Sequence, residues 1–275
     1  MFSALVLTLN EERNLPACLS SLAGCDDIVV LDSGSTDRTI TIAQAAGARV
    51  AVRAFTDFAD QRNFALETID FRNQWVFHLD ADEHFTPELV HECDDVSHQN
   101  PSNIDGYFVA PRMLYHGRWI PHCTDFPAYQ ARFGHARRFR FIQVGHGQRE
   151  RPELRLGKLQ TNYLHNLSAH SDAYLEAKHR RYARQEAAAF LDRSREGRPL
   201  ARHLFAQNAL ERRRALKILS QHMPARGLLR FLYQYGWRRG FLDGRAGFAY
   251  CVLLARYEHW IAAEIHRQRH ASSLV

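Results

Sequence analysis

The chain has no stretch of the roughly 18 to 20 uninterrupted apolar residues that a membrane span requires, so no transmembrane helix is expected among its 275 residues. It also lacks a basic segment ahead of its first apolar run, Phe2 to Leu9, and a small-residue cleavage site behind it. Without those marks of a secretory signal the protein is expected to stay in the cytoplasm. Cysteine is sparse: Cys18, Cys25, Cys93, Cys123 and Cys251 show no CxxC spacing, and an odd number cannot all pair internally. They are expected as reduced thiols used in packing. Internal repeats and low-complexity tracts are missing too. With 45% hydrophobic and 24% charged residues, the disordered and collagen-like classes are excluded, and the length supports one good core plus an appendage.

Charge is unevenly divided. Residues 1–165 hold 16 Lys and Arg against 21 Asp and Glu, a net −5, whereas residues 166–275 hold 20 against 9, a net +11. Two regions with different partners are expected, bounded near residue 165. In the first, the apolar runs Phe2 to Thr8, Asp27 to Leu31, Ala48 to Val52 and Trp75 to Leu79 are of strand length, and each is followed by a polar turn and a segment with helical spacing. This βαβα alternation predicts a mostly parallel sheet covered by helices. Helix starts are expected after Asn14, after Ser35 and Thr36, and after Thr86 with Pro87. Between Gly106 and Val144, aromatic-rich β-like runs interrupted by Pro111, Pro121 and Pro127 suggest a less regular region. From Ser171 onward the chain reads as helical, with Leu175, Tyr182 and Ala189 at heptad spacing and later breaks at Gly197 with Pro199, at Pro224, and at Gly240 with Gly244.

The sharpest chemical feature is Trp75-Val-Phe-His-Leu-Asp80-Ala-Asp82-Glu83, an apolar strand running directly into acids. A D-x-D pair alone is common in solvated turns. Here it stands at the C-terminal end of a parallel strand, where open α/β sheets place ligands. Two carboxylates so close repel unless a cation lies between them, and hard oxygen donors suit Mg²⁺ or Mn²⁺ shared with substrate phosphates. A second strand ends the same way, in Asp32-Ser-Gly-Ser-Thr-Asp37, where a carboxylate can accept a hydrogen bond from a base or ribose, although Ser35, Thr36 and Asp37 also fit as helix caps. The first strand ends in Thr8-Leu-Asn10-Glu11-Glu12. Three strands therefore end in polar clusters on one sheet edge.

These segments resemble the family 2 glycosyltransferases, inverting enzymes of the GT-A fold. The resemblance is carried over residues 1 to 95 by LVLTLNEERNLPACLSSL, IVVLDSGSTDRT, DFADQRNFAL and WVFHLDADEHFTPEL in family order. YLHNLSAHSDAYLEAKHRRYARQEA and GFLDGRAGF are further similar to the bacterial branch that adds glucose-like sugars to the lipopolysaccharide core or related surface glycans. The resemblance implies a GT-A type α/β domain over residues 1–165 and a basic helical region over 166–275. It also implies a UDP-sugar donor, Mn²⁺ or Mg²⁺ as cofactor, and a glycan or glycolipid acceptor. By residue it implies that Thr8, Asn10, Glu11, Asp32, Arg62 and Asp80 bind the nucleotide sugar, with Asp32 recognising uracil, and that Asp80, Asp82 and His165 serve the metal. The inverting base of the family is an acid downstream of D-x-D. Where many relatives have Val-His-Glu this chain has Val144-Gly-His146-Gly-Gln148-Arg-Glu150, so Glu150 is favoured, with His146 and Asp125 behind it.

In the basic half, Arg226, Arg230, Arg238, Arg239 and Arg245 interleave with Leu228, Leu229, Phe231, Leu232, Tyr235, Trp237, Phe241 and Phe248. That pattern suggests peripheral contact with an anionic membrane at the inner face of the cell, and packing onto the rest of the chain is the plainer alternative. No nucleic-acid motif is recognisable. Two other functions remain open: a nucleotidyltransferase acting on a sugar phosphate, against which Asn10-Glu-Glu-Arg-Asn14 lacks the usual glycine-rich phosphate loop, and a non-catalytic membrane-bound scaffold of the same fold.

Overall fold

The computed structural model describes residues 1–144, 147–195 and 225–272. They form two compact units, residues 1–117 with 126–169, and residues 118–125 with 170–275.

The first unit is built on a large sheet. Its strands are β1 (Ser3–Thr8), β2 (Asp27–Asp32), β3 (Arg49–Val52), β4 (Trp75–Asp80), β5 (Glu83–His84), β6 (Gly106–Tyr115), β8 (Gln130–His135) and β11 (Leu156–Asn166). They lie in the order β3-β2-β1-β4-β8-β6-β11-β5. The β1–β2, β1–β4, β2–β3 and β6–β11 pairs are parallel, and β8 runs antiparallel to both β4 and β6. A small hairpin, β9 (Phe141–Val144) with β10 (Gly147–Glu150), stands apart from it.

Strands β1, β2 and β4 bury apolar side chains on both faces because both sheet faces are covered, and their polar residues stand mainly at their ends. Trp75, Phe77 and Leu79 join Ala4, Val6, Leu15, Cys18 and Leu89 in one cluster, with α1 (Leu15–Ser21) and α4 (Pro87–Gln99). The alternate residues Leu5, Val29, Leu31 and Val76 meet Ala65 and Leu66 of α3 (Phe58–Thr68) on the other face. By that alternation His78 and Asp80, in step with Val76, point to the α3 face.

Of the less regular region expected from Gly106 to Val144, residues 106–115 form the ten-residue strand β6, with register shifts against both β8 and β11, while Pro121 and Pro127 lie outside the strands. Pro111 does not break β6 because β8 pairs with it only as far as Val109, where Gln130 is opposite, so no N–H is needed on that side of Pro111. Of the expected caps, Thr86 accepts the Leu89 N–H at 3.3 Å, whereas at the start of α2 (Thr39–Ala45) it is Asp37, not Ser35 or Thr36, that accepts an N–H of the first turn, that of Thr39 at 2.9 Å. All five cysteines are free thiols.

The second unit comprises β7 (Arg118–Trp119), α5 (Asp172–Arg195), α6 (Arg226–Phe231), a π-helical turn (Leu232–Trp237), a 3₁₀ turn (Gly240–Asp243) and α7 (Gly244–Ser272). The buried stripe of α5 is Ala183, Ala187 and Phe190, packed on Ile261 and Ile265 of α7. Of the expected heptad positions, Leu175 is buried and Tyr182 only half-buried, Ala183 taking the buried place beside it. Gly227 lets α6 approach α7, since a Cβ there would stand 2.6 Å from the Ala255 carbonyl oxygen. Segment 118–125 is anchored by Asp243, which is buried and accepts from the backbone N–H groups of His122 and Cys123 and from His122 Nδ1 at 2.6 Å. Gly197, Pro199 and Pro224 lie outside the described residues. No described helix is long and apolar enough to cross a membrane. The architecture is the expected one: α/β of GT-A type with a mostly parallel central sheet, followed by a helical C-terminal region.

Candidate active site

Parallel register brings the chemistry to one edge. Thr8 is opposite Asp32 across β1–β2, and Asp80 is opposite Leu7 across β1–β4, so three neighbouring strands about 4.8 Å apart end at one level.

Asp32 is fully buried, and its carboxylate is saturated. Thr8 Oγ1 (2.8 Å) and Ser35 Oγ (2.5 Å) donate to Oδ2, and the N–H groups of Gly34 (2.9 Å) and Ser35 (2.7 Å) donate to Oδ1. Four donors fill the roughly four lone-pair directions of a carboxylate, so an incoming base meets Asp32 only if one of them, most simply the Ser35 hydroxyl, swings away. Gly34 makes this turn possible with φ +96, a conformation that side chains disfavour. The loop is laced to the first strand's end: the Asn10 N–H donates to Ser35 Oγ, Asn10 Oδ1 accepts the Thr36 N–H, and the Glu11 N–H donates to Thr39 Oγ1. Asn10 also has positive φ (57). Thr8, Asn10 and Glu11 thus shape a polar rim around the Asp32 turn.

Arg62, expected to face the nucleotide, is buried and grips Asp80: Nη2 is 2.8 Å from Asp80 Oδ1, and Nη1 is 3.1 Å from Gln148 Oε1. A second guanidinium, Arg132 of β8, lies 3.3 Å from Asp80 Oδ2 and 2.8 Å from Glu83 Oε1. Burial works against charge on Asp80, but Arg62 and then Arg132 outweigh it and hold the carboxyl well below the ordinary carboxylate range. Burial pushes the Glu83 carboxyl up, to about 7, while Arg132 pulls the other way; its Oε2 accepts the Asp80 N–H at 2.9 Å.

Asp82 is placed differently. The antiparallel β5–β11 pair sets His165 opposite Glu83, which leaves His165 Nε2 3.6 Å from Asp82 Oδ2 and Nδ1 3.6 Å from Glu83 Oε1. Burial disfavours the imidazolium, but Asp82 and then Glu83 raise it above its ordinary range. Two cis ligands on a six-coordinate cation with bonds of about 2.1 Å sit about 3 Å apart, so Asp82 and His165 fit as a two-donor seat. No described group of three or more His, Cys, Asp or Glu could hold a metal alone, which suits an ion whose shell is completed by phosphate and water. Asp80, expected to share the metal, has both oxygens committed to arginines.

Of the three base candidates, Glu150 lies on β10 opposite Phe141. It shares a strand face with Gln148, and so faces the side where Gln148 meets Arg62. His146 lies outside the described residues. Asp125 belongs to the second unit and is 2.9 Å from Arg238 Nε. Sequence reasoning gave no role to Arg132 or Glu83. The only signal for Arg132 was a charged residue between the apolar Ala131 and Phe133 of a β-like run.

The model of glycosyl transferase family 2 matches residues 3–146. An uncharacterized glycosyltransferase of Rickettsia bellii is 38% identical over 115 residues, covering 41% of this chain and 38% of that protein. The lipopolysaccharide core biosynthesis glycosyltransferase LpsC of Rhizobium meliloti is 38% identical over 106 residues, covering 34% of this chain and 38% of that one. The matched segment thus spans well under half the length of these curated relatives. Among solved structures, residues 1–349 of S. aureus TarS in complex with UDP-GlcNAc superpose with a TM-score of 0.45 at 16% identity, covering 96% of this chain and 88% of that one. Glucosyl-3-phosphoglycerate synthase from Mycobacterium tuberculosis, in complex with Mn²⁺, UDP and glucosyl-3-phosphoglycerate, gives 0.34 at 23% identity, with 42% and 44% covered.

Proposed function

The chain belongs to glycosyl transferase family 2, and from that premise we propose that it is an inverting glycosyltransferase, moving a glucose-like sugar from a UDP-sugar to a lipopolysaccharide-core or lipid-linked glycan acceptor. The observation that carries this reading is the meeting of Asp82 with His165 at 3.6 Å, beside an Asp80 clamped by Arg62 and Arg132, on the edge where Thr8 and Asp32 also end their strands. Residues 1–165 carry the donor chemistry on this reading, and residues 166–275 face the acceptor or a membrane. The place of work is the cytoplasmic face of a membrane.

In this scheme the rim formed by Thr8, Asn10, Glu11 and the Asp32 turn receives the uridine, and Asp80, immobilised by its two guanidiniums, presents a fixed carboxylate toward the ribose. Asp82 and His165 would hold Mn²⁺ or Mg²⁺, which when bound stabilises charge on the departing diphosphate. Glu150 accepts the proton of the acceptor hydroxyl as its oxygen attacks the anomeric carbon from the face opposite the breaking bond to the diphosphate. The preorganisation of Asp80 matters because groups already in place need no rearrangement as charge develops.

Calorimetric titration of UDP, CDP and GDP into the full chain, with and without Mn²⁺, tests the donor half. UDP should bind best, more tightly with Mn²⁺, and lose that gain in EDTA; equal binding of all three, or none, would overturn the reading. Thermal stabilisation by a panel of UDP-sugars then identifies the sugar, since the best ligand stabilises most at a given concentration. Glu150→Gln should retain UDP binding and lose transfer.

A further inference from the structure

Between residues 228 and 248 the second unit exposes eight large apolar side chains, among them Leu228 (59%), Leu232 (55%), Tyr233 (44%), Trp237 (81%), Phe241 (50%) and Phe248 (49%). Single exposed apolar residues are ordinary on soluble proteins, whereas a contiguous group marks an interaction surface. These are contiguous. Leu228, Leu232, Tyr233 and Trp237 follow i, i+4, i+5, i+9 along α6 and the π-helical turn, whose wider pitch keeps them on one side. The 3₁₀ turn and the start of α7 join the same platform through rings. Tyr235 stacks on Phe231 at 5.1 Å and meets Phe241 at 6.3 Å and Phe248 at 5.6 Å. The face is therefore preformed and does not depend on a partner to assemble.

Its charge identifies the partner. Arg239 and Arg245 are exposed and Arg230 is half-buried at the margin. The single acid from residue 225 to 250 is Asp243, buried and consumed by His122 and Cys123. A second copy of this face would bring arginines against arginines. An anionic lipid surface meets both properties at once, taking the apolar side chains into the headgroup boundary while phosphates meet the guanidiniums. We propose that the second unit docks on an anionic bilayer through this face, with Trp237 as its deepest anchor. The inference deepens the peripheral-membrane part of the function proposed above, and it can fail without touching the donor chemistry.

Flotation of the full chain with vesicles of phosphatidylglycerol in phosphatidylcholine, against pure phosphatidylcholine, tests it. Roughly tenfold or greater preference for the anionic vesicles is expected from two or three arginines at the surface. High salt should remove only part of the bound protein, because salt screens the arginines and not the apolar contact. Leu232→Ser/Trp237→Ser/Phe241→Ser should make salt release complete, and Arg239→Gln/Arg245→Gln should erase the anionic preference. Unchanged circular dichroism and UDP titration will show that the variants are folded and that the donor site is intact. Equal flotation on both vesicles would overturn the proposal. So would a triple variant that floats as wild type does, or a wild type that fails to float and sediments as a dimer dissolved by the triple substitution.

Discussion

Arg132→Met tests whether the two-arginine clamp is what holds the D-x-D segment in place. Methionine keeps the unbranched stem and removes the guanidinium, so packing changes little. Lost are the contacts to Glu83 (2.8 Å), Gln130 Oε1 (3.1 Å), Asp80 (3.3 Å) and the His78 carbonyl oxygen (3.3 Å). Asp80 keeps Arg62, but Glu83, with no exposed surface, keeps only the Asp80 N–H and a His165 nitrogen 3.6 Å away. Removing one partner of a buried ion pair costs about 3 to 5 kcal/mol. The low end, about 3 kcal/mol, is expected because burial already pushes Glu83 up to about 7, so that near neutrality a proton can take the cation's place. Without Arg132 the Glu83 carboxyl rises further above its unfolded value. A raised carboxyl weakens the fold as pH climbs from its unfolded value to its folded one; wild type and variant share that loss up to about 7, so the extra destabilisation of the variant should shrink as pH falls from about 9 toward 7. Urea unfolding of wild type and variant across that range reads both effects. Arg132→Met/Glu83→Leu should recover most of the loss, since neither charge is then stranded. A single-variant loss under about 1 kcal/mol, well below the cost of a stranded buried charge, or a loss that grows as pH falls, would refute the clamp.

Asp82→Ala should leave the protein folded yet abolish the Mn²⁺-dependent gain in UDP affinity; calorimetry in which Mn²⁺ still strengthens UDP binding would remove Asp82 from the metal seat. Asp32→Ala should weaken UDP binding by roughly 1 to 3 kcal/mol, in part through loosening the turn at Gly34 and Ser35 that the carboxylate ties together, and an unchanged dissociation constant would exclude any contribution. Asp105 is held down to about 2 by its hydrogen bond from Arg155, so its stabilisation is present above the unfolded carboxyl value of about 3.9 and lost as pH falls toward 2. In acid titration followed by circular dichroism, Asp105→Asn should flatten the stability change between those pH values, and a profile identical to wild type would dismiss the ion pair.

Much of the site is local in the chain and was legible there. Thr8, Asn10, Asp32, Asp80 and Asp82 each end an apolar run or follow one directly, and a strand that ends in acid advertises itself without any knowledge of its neighbours. The role of Arg62 was only half legible: a basic residue on α3 could be assigned to the site, but that it turns inward to Asp80 follows from the parity that sends His78 and Asp80 to the α3 face. Arg132 and Glu83 were not legible as a pair, because 49 residues separate them and a lone arginine in a β-like run carries no address. The cap reading of Ser35 and Thr36 failed for a related reason, since the competing partners of those groups, Asp32 and Asn10, come from the turn itself and from another strand.

The sequence by itself determined the first four strands, their polar ends and a mostly parallel sheet, because apolar runs without alternation are stable only when both faces of a sheet are covered. It determined as well the basic, apolar character of the C-terminal region. Only the tertiary structure decided which charges neutralise which, since that depends on register between distant strands. The β8–β4 pairing delivers Arg132 to Asp80, and the β11–β5 pairing delivers His165 to Asp82. Only the tertiary structure, too, separated the apolar side chains of residues 226–248 that close upon one another from those left facing solvent, because a helix fixes the spacing of a face and its packing partners decide whether that face is covered.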